Sequence, residues 1–320
     1  MFLKEIKKKF TIACIGGMNV DRKFYAKDSL QYETSNPATS SVSVGGVARN
    51  IAENLGRLDE RVTLFSVSGE DGDWEMLKQL SSEYMDLSFV KSDARLSTGN
   101  YTAILDMNGD LSIALGDMEV FNHITINLLK PHERMLKKMD CIIIDLNCPA
   151  KTVEYIISFG ENYDIPVFII PVSSPKMDRL PETLTSVDWL IVNKDETETF
   201  LQMRITDDES WKKAVNLWLE KGIQHVVITN GEQGVMAGAK DEKVRHFPAI
   251  PVPFVKDVTG AGDAFCAAVI HMWLHKYSFP DMIQAGLMNA HQTIMSSYTV
   301  RRDLTRENLL SLINEKREGC

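Results

Sequence analysis

From about residue 139 onward the chain alternates short β-branched or aliphatic runs with segments whose apolar positions recur at helical spacing. The runs are Asp140-Cys141-Ile142-Ile143-Ile144-Asp145, Pro166-Val167-Phe168-Ile169-Ile170, Val187-Asp188-Trp189-Leu190-Ile191-Val192 and His225-Val226-Val227-Ile228-Thr229. Between them, Ala150 to Asn162, Glu196 to Leu201 and Ser210 to Lys221 read as helices. Strands that are apolar on both faces must be covered on both faces, and crossover helices achieve this when the strands run parallel. The pattern therefore predicts an α/β fold of three layers, with a mostly parallel central sheet between helices. Thr11-Ile12-Ala13-Cys14-Ile15, the helix Ala48 to Arg57 and Arg61-Val62-Thr63-Leu64-Phe65 carry the rhythm toward the N-terminus.

Two stretches break it. Residues 22–44 are polar and alternating, and Gly99 to Asp106, Asn108-Gly109 and Leu111 to Leu115 read as a hairpin with an Asn-Gly turn. Both imply a small β-sheet that serves as a lid. The expected organisation is one large domain over 11–300, lid strands inserted at about 22–44 and 97–116, and a C-terminal helix over 301–320. The run Glu315-Lys316-Arg317-Glu318 would be a solvated face of that helix.

Composition narrows the function. Lys and Arg total 35 against 44 for Asp and Glu, and this net charge of −9 argues against partners such as nucleic acid or an anionic membrane. Any polyanion must then be gripped locally. The five cysteines at 14, 141, 148, 266 and 320 include no C-x-x-C pair. No 18-residue apolar run occurs, and no signal-peptide core follows the basic start at Met1-Phe2-Leu3-Lys4. The expectation is a reduced, cytoplasmic protein.

The stretch richest in chemistry is Asp257-Val258-Thr259-Gly260-Ala261-Gly262-Asp263-Ala264-Phe265, which passes into the apolar helical run Cys266 to Lys276. A glycine-rich turn opening a helix lets a ligand approach the backbone, and the first helical N–H groups lack partners, so an anion is favoured there. Asp263 falls in the same first turn. A carboxylate beside an anion site suits a hydroxyl that loses its proton while attacking a phosphoryl group, with the amides of Gly260, Ala261 and Gly262 holding the developing charge. The alternative is a glycine cap and an acid placed for the helix dipole. No G-x-x-x-x-G-K-[ST], H-R-D or D-F-G occurs, and Phe265 breaks a G-x-G-x-x-G fingerprint, which disfavours a dinucleotide dehydrogenase.

These residues resemble the C-terminal signature of the ribokinase-like (PfkB) sugar and nucleoside kinases. Gly45-Gly46-Val47-Ala48-Arg49-Asn50 resembles that family's N-terminal signature, so Gly45, Gly46 and Asn50 are implied to hold substrate hydroxyls. Met18-Asn19-Val20-Asp21 resembles its sugar-binding pair, Asn19 and Asp21, against the alternative of a turn-capping pair. Asn147 lies where the family faces another polar residue to substrate. Asn193-Lys194-Asp195-Glu196 matches an Asn-x-x-Glu that sets phosphate and Mg²⁺, the ion held by Glu196 through water; a helix capping box explains the same spacing. Thr229-Asn230-Gly231-Glu232-Gln233-Gly234-Val235 resembles the loop in which Thr229, Gly231 and Gly234 touch ATP, with a plain hairpin turn as the competing interpretation. Asp257 and Thr259 resemble a monovalent-cation site, implying K⁺.

The resemblance implies a ribokinase-like fold and ATP-dependent transfer to an alcohol. Ser35-Asn36-Pro37, Arg49 to Leu55 and Gly116-Asp117-Met118 resemble most the pseudouridine kinases of bacteria, which implies the 5′-hydroxyl of that nucleoside as acceptor. Ribose, another nucleoside or fructose as substrate, or a catalytically silent sensor on the same fold, are the alternatives. The family also implies a homodimer formed through the lids. Thr98 and Tyr101, on the lid, could cover a base or form a hairpin surface pair. His271 and His275 share a helix face as zinc ligands do, but no third ligand is evident in the sequence.

Overall fold

The computed structural model describes residues 8–318. The basic start, Cys320 and the side chains of the 315–318 run lie outside the described residues. The elements follow as β1 (Thr11–Ile15), β2 (Asn19–Ala26), β3 (Ala38–Gly45), α1 (Val47–Arg57), β4 (Arg61–Ser68), α2 (Gly72–Ser81), β5 (Val90–Ser92), β6 (Asn100–Leu105) and β7 (Leu111–Asp117). After the short α3 (Ile126–Leu129) and α4 (Glu133–Leu136) come β8 (Cys141–Asp145), α5 (Ala150–Tyr163), β9 (Val167–Ile170), β10 (Trp189–Asn193), α6 (Lys194–Leu201), α7 (Asp208–Glu220) and β11 (His225–Thr229). The chain continues through β12 (Val235–Ala239), β13 (Glu242–Phe247), α8 (Ala261–Leu274), α9 (Phe279–Ile294) and α10 (Arg306–Glu318).

Nine strands form the main sheet in the order β13-β12-β11-β10-β9-β8-β1-β4-β5, parallel except for the antiparallel edge made by β12 and β13. Alternate residues divide between its faces: Ile12 and Cys14 pack with α1, α8 and α9, whereas Ala13 and Ile15 pack with α5 and α7. Helix α7 shows why the segment folds so. Asp207 and Ser210 form its capping box, and Trp211, Ala214, Val215 and Trp218 repeat at the spacing that buries one stripe. Truncating a fully buried strand residue such as Ile143 to alanine would cost about 2–5 kcal/mol.

Strand β1 pairs with both β4 and β8, so the crossovers run outward in opposite directions from it. This reversal leaves a crevice beyond the carboxyl ends of β1 and β8, where α/β folds bind ligands. A second sheet, in the order β3-β2-β6-β7, is joined to β1 through Gly16, Gly17 and Met18. Its β2 opens at Asn19, so Asn19 and Asp21 lie two apart within one strand. The β6–β7 connection is a loop around Asn108-Gly109 rather than a two-residue turn: the Asp106 carboxylate accepts the N–H groups of Asn108 and Asp110 at 2.8 and 3.0 Å. Among the described residues no helix is long and apolar enough to cross a membrane.

Candidate active site

The sequence candidates gather along the carboxyl edge of the main sheet and beneath the small one. Asn19 and Asp21 lie on one face of β2, and Asn19 Nδ2 donates to Asp21 Oδ1 at 2.6 Å. Gly45, opposite Asn19 in the β2–β3 ladder, has no room for a side chain, since a Cβ there would lie 2.3 Å from Asp21 Oδ2. Gly46 has φ 99°, and its Cβ would meet the Gly17 carbonyl oxygen at 2.5 Å. The backbone thus turns tightly enough for α1 to begin directly over the crevice.

Asp145 holds that turn from below. Fully buried at the end of β8, it accepts the N–H groups of Gly17, Ala48 and Asn147 at 2.9 to 3.0 Å, and Asn147 Nδ2 at 3.0 Å. Ala48 lies in the first turn of α1, so Asp145 caps a helix from a distant strand. Burial raises its pKa and these hydrogen bonds oppose the rise. Asn147 also accepts from Lys176, whose pKa burial lowers.

Asp263 is half-buried in the first turn of α8 and faces Asn50, whose Nδ2 donates to its Oδ2 at 2.8 Å. Burial pushes its pKa up to about 7; the Asn50 hydrogen bond opposes the shift and the Asp145 carboxylate adds to it. Asn50 is aimed by Arg49, a buried guanidinium that donates to Asn50 Oδ1 at 2.9 Å, to Ser81 Oγ at 3.1 Å and to Glu53. With its oxygen engaged by Arg49, the amide can present only its N–H group to Asp263. At the helix mouth Gly260 takes φ 84°, and a Cβ there would strike the Thr299 carbonyl oxygen at 2.1 Å. A Cβ at Gly262 would meet nothing within 4 Å, so this side of the mouth is open. The Ala261 N–H turns back to the Val258 carbonyl in a long 3.3 Å bond.

On the neighbouring strand ends, Asn193 and Glu196 form the full capping box, with both bonds at 2.8 Å. Glu196 is buried, and burial outweighs the Asn193 N–H to raise its carboxyl to about 7. Thr229 ends β11, and Gly231 and Gly234 lie in the turn to antiparallel β12, which is therefore a hairpin; a Cβ at Gly234 would meet the Phe247 carbonyl oxygen at 2.2 Å. Asp257 does not fit a cation site as the sequence suggests. Its Oδ2 accepts from Lys23 Nζ at 2.6 Å and its Oδ1 from the Thr259 N–H at 2.9 Å. Burial alone would raise the Asp257 pKa, but Lys23 and Thr259 together hold it down.

Thr98 and the two histidines have structural explanations. Thr98 is buried, and its hydroxyl donates to Asp71 at 2.7 Å; Tyr101 stands beside Asp21 in the β2–β6 ladder. The third ligand lacking for His271 and His275 is Glu60, whose Oε1 lies 2.8 Å from a nitrogen of each. The His271 contact is off the line of a well-aligned hydrogen bond. Arg306 Nη2, 2.9 Å from His275 Nε2 and 3.2 Å from Glu60 Oε1, already supplies this cluster's positive charge. A cleft of about 760 Å³ opens beside β3, lined by Lys23, Ser43, Arg49, Glu53, Lys256 and Asp257 among others. Asn19, Asp21, Asn50 and Asp263 do not line it, and the converging polar groups rather than this volume mark the chemistry.

The family model described as pfkB family carbohydrate kinase matches residues 9–304. The chain belongs to the pfkB family of carbohydrate kinases. Pseudouridine kinase of Escherichia coli is 27% identical over 311 residues, covering 96% of this chain and 98% of that protein. Ribokinase of Haemophilus influenzae is 24% identical over 308 residues, covering 95% and 98%. A carbohydrate kinase from Agrobacterium tumefaciens superposes with a TM-score of 0.83 at 26% identity, covering 96% and 97% of the two chains. Arabidopsis thaliana ribokinase, complexed with ribose and ATP, superposes with the same TM-score at 18% identity, covering 96% and 99%. The fold is ribokinase-like, and the chain is a sugar or nucleoside kinase, a phosphotransferase with an alcohol acceptor.

Two residues central to this geometry, Arg49 and Asp145, escape a sequence reading. Arg49 looks like half of an exposed i, i+4 pair with Glu53. Asp145 gives one faint signal, a carboxylate closing an apolar strand.

Proposed function

We propose that this kinase transfers the γ-phosphoryl group of ATP to the 5′-hydroxyl of pseudouridine. The observation that carries the transfer chemistry is Asp263, a carboxyl raised to about 7 at the mouth of α8 and oriented by Asn50. The similarity to the Escherichia coli pseudouridine kinase supports the acceptor. Asn19, Asp21, Gly45, Gly46, Asn50 and Asn147 cradle the nucleoside, the carboxylate of Asp21 accepting from hydroxyls that approach over Gly45. The 5′-oxygen attacks the γ-phosphorus, its bond to the β–γ bridging oxygen breaks, and the hydroxyl proton passes to Asp263. The Gly260, Ala261 and Gly262 amides receive the charge on the transferring group. The long Ala261–Val258 bond is the one that yields.

Asn193, Thr229, Gly231 and Gly234 border the nucleotide. Glu196 fits a hydrated Mg²⁺, because a buried carboxylate raised to about 7, with no ion pair to a basic side chain among the described residues, gains from a nearby divalent ion. That ion, when bound, would neutralise phosphate charge.

The small sheet acts as the lid over the main domain. Its outer face exposes Phe24, Val42, Ile113 and Leu115, which the ladder registers place together, and we infer that two lids pair through this face in a homodimer. The four described cysteines, all buried free thiols, suit the cytoplasm.

Pseudouridine, uridine, adenosine, ribose and fructose offered with ATP test the substrate. Product should form fastest with pseudouridine, and equal or faster turnover of ribose would remove that acceptor. A monomeric mass in solution would remove the dimer.

A further inference from the structure

The loop before Gly260 already contains a positive charge, and it comes from another part of the chain. Lys23 lies on β2, two residues beyond Asp21 and on the same face of the small sheet. Its ammonium lies 2.6 Å from Asp257 Oδ2, linking positions 234 residues apart. The Lys23 and Asp257 side chains are only 24% and 33% exposed, so water screens the pair incompletely. Both oxygens of Asp257 are engaged, the second by the Thr259 N–H that shapes the approach to α8. Left bare, this carboxylate three residues before the Gly260 turn would repel an anionic group arriving at the helix mouth and would release the loop. Asp21, whose own pKa feels Lys23 and Asp257 with opposite signs, completes the local charge set on the small sheet.

We propose that Lys23 is this kinase's built-in monovalent cation, carried by the small sheet and placed on Asp257 when that sheet is seated. Phosphoryl transfer then needs neither potassium nor sodium, and the anion site is electrostatically complete only with the small sheet in place. Lys23 is a positioning residue: it acts through Asp257 and does not touch the reacting atoms. The inference rests on the kinase reading above.

The test compares the full-length wild type, Lys23→Met and Lys23→Arg in KCl and in choline chloride at equal ionic strength, by ADP release and by thermal midpoint. The wild type should show the same rate and midpoint in both salts. Lys23→Met should be slower by about tenfold or more in choline chloride. KCl should restore most of that loss and raise its midpoint, and Lys23→Arg should behave as wild type. Several-fold activation of the wild type by KCl overturns the proposal. So does a Lys23→Met protein that keeps its full rate in choline chloride, or one that stays slow and gains no thermal stability in KCl. If the wild type releases no ADP with any acceptor, the kinase reading fails by itself, and the midpoints in the two salts still decide whether Lys23 takes a cation's place. Should Lys23→Met fail to fold, the wild type and Lys23→Arg decide on their salt response.

Discussion

Helix α8 carries a cluster of titratable groups at each end, and the two are built on opposite rules. At its C-terminal end Glu60 is fully desolvated; burial alone would raise its pKa, but His271, His275 and the Phe10 N–H outweigh this and bring it down to about 2. At its N-terminal end Asp263 has one amide donor and two other carboxylates in range, and stands at about 7. A buried acid is therefore not in itself a sign of catalysis. The acid met by several donors holds the fold, and the acid left with proton affinity can do chemistry.

The sharpest way to break this contrast is Asp263→Asn, which should lower kcat by roughly 10²–10⁴-fold while the protein stays folded. Steady-state rates beside a circular dichroism spectrum would show it, and a loss below about tenfold would remove Asp263 as proton acceptor. At the other end, Glu60→Ala should cost about 3–5 kcal/mol in denaturant unfolding, because it takes the carboxylate away from the Arg306 guanidinium and from two buried imidazoles, with kcat of the folded fraction little changed. Asn50→Leu removes a hydrogen bond to a charged group, worth about 1.5–3 kcal/mol. It should lower kcat and move the alkaline-rising limb of the rate profile upward in pH.

That limb is itself a prediction. Asp263 must be ionised to accept a proton, so kcat/KM should rise with pH through about 7 and then level off. The same shift acts on stability with the opposite sign. The folded pKa lies above the unfolded value near 4, so ionising Asp263 opposes folding by an amount that is absent below that value, grows between the two and is complete above about 7. Asp263→Asn should therefore melt higher than wild type at pH 8 and no higher at pH 4. The smallest expected effect belongs to the histidines: adding zinc or EDTA should leave the thermal midpoint unmoved, since Arg306 occupies the charge position at Glu60.

The central sheet was readable because its strands are apolar on both faces; Thr11–Ile15 and His225–Thr229 have the bounds the alternation predicts. Strand β12, Val235–Ala239, is harder to read because its Met, Ala and Gly residues carry little β-branching. The motif residues of the site were legible for a related reason, as each lies next to the strand end or helix start that its own sequence announces. The groups that adjust them were not. Arg49 reaches Ser81, Asp145 reaches Gly17 and Ala48, and Lys23 reaches Asp257, and no local spacing records a contact between distant segments.

The passage from β1 into β2 consists of Gly16, Gly17 and Met18, and the middle amide is pinned by Asp145. At this junction a carboxylate of the main sheet fixes the chain that enters the small one. A change at Asp145 would strand the buried amides of Gly17 and Ala48, so the join between the two sheets and the start of α1 would loosen together.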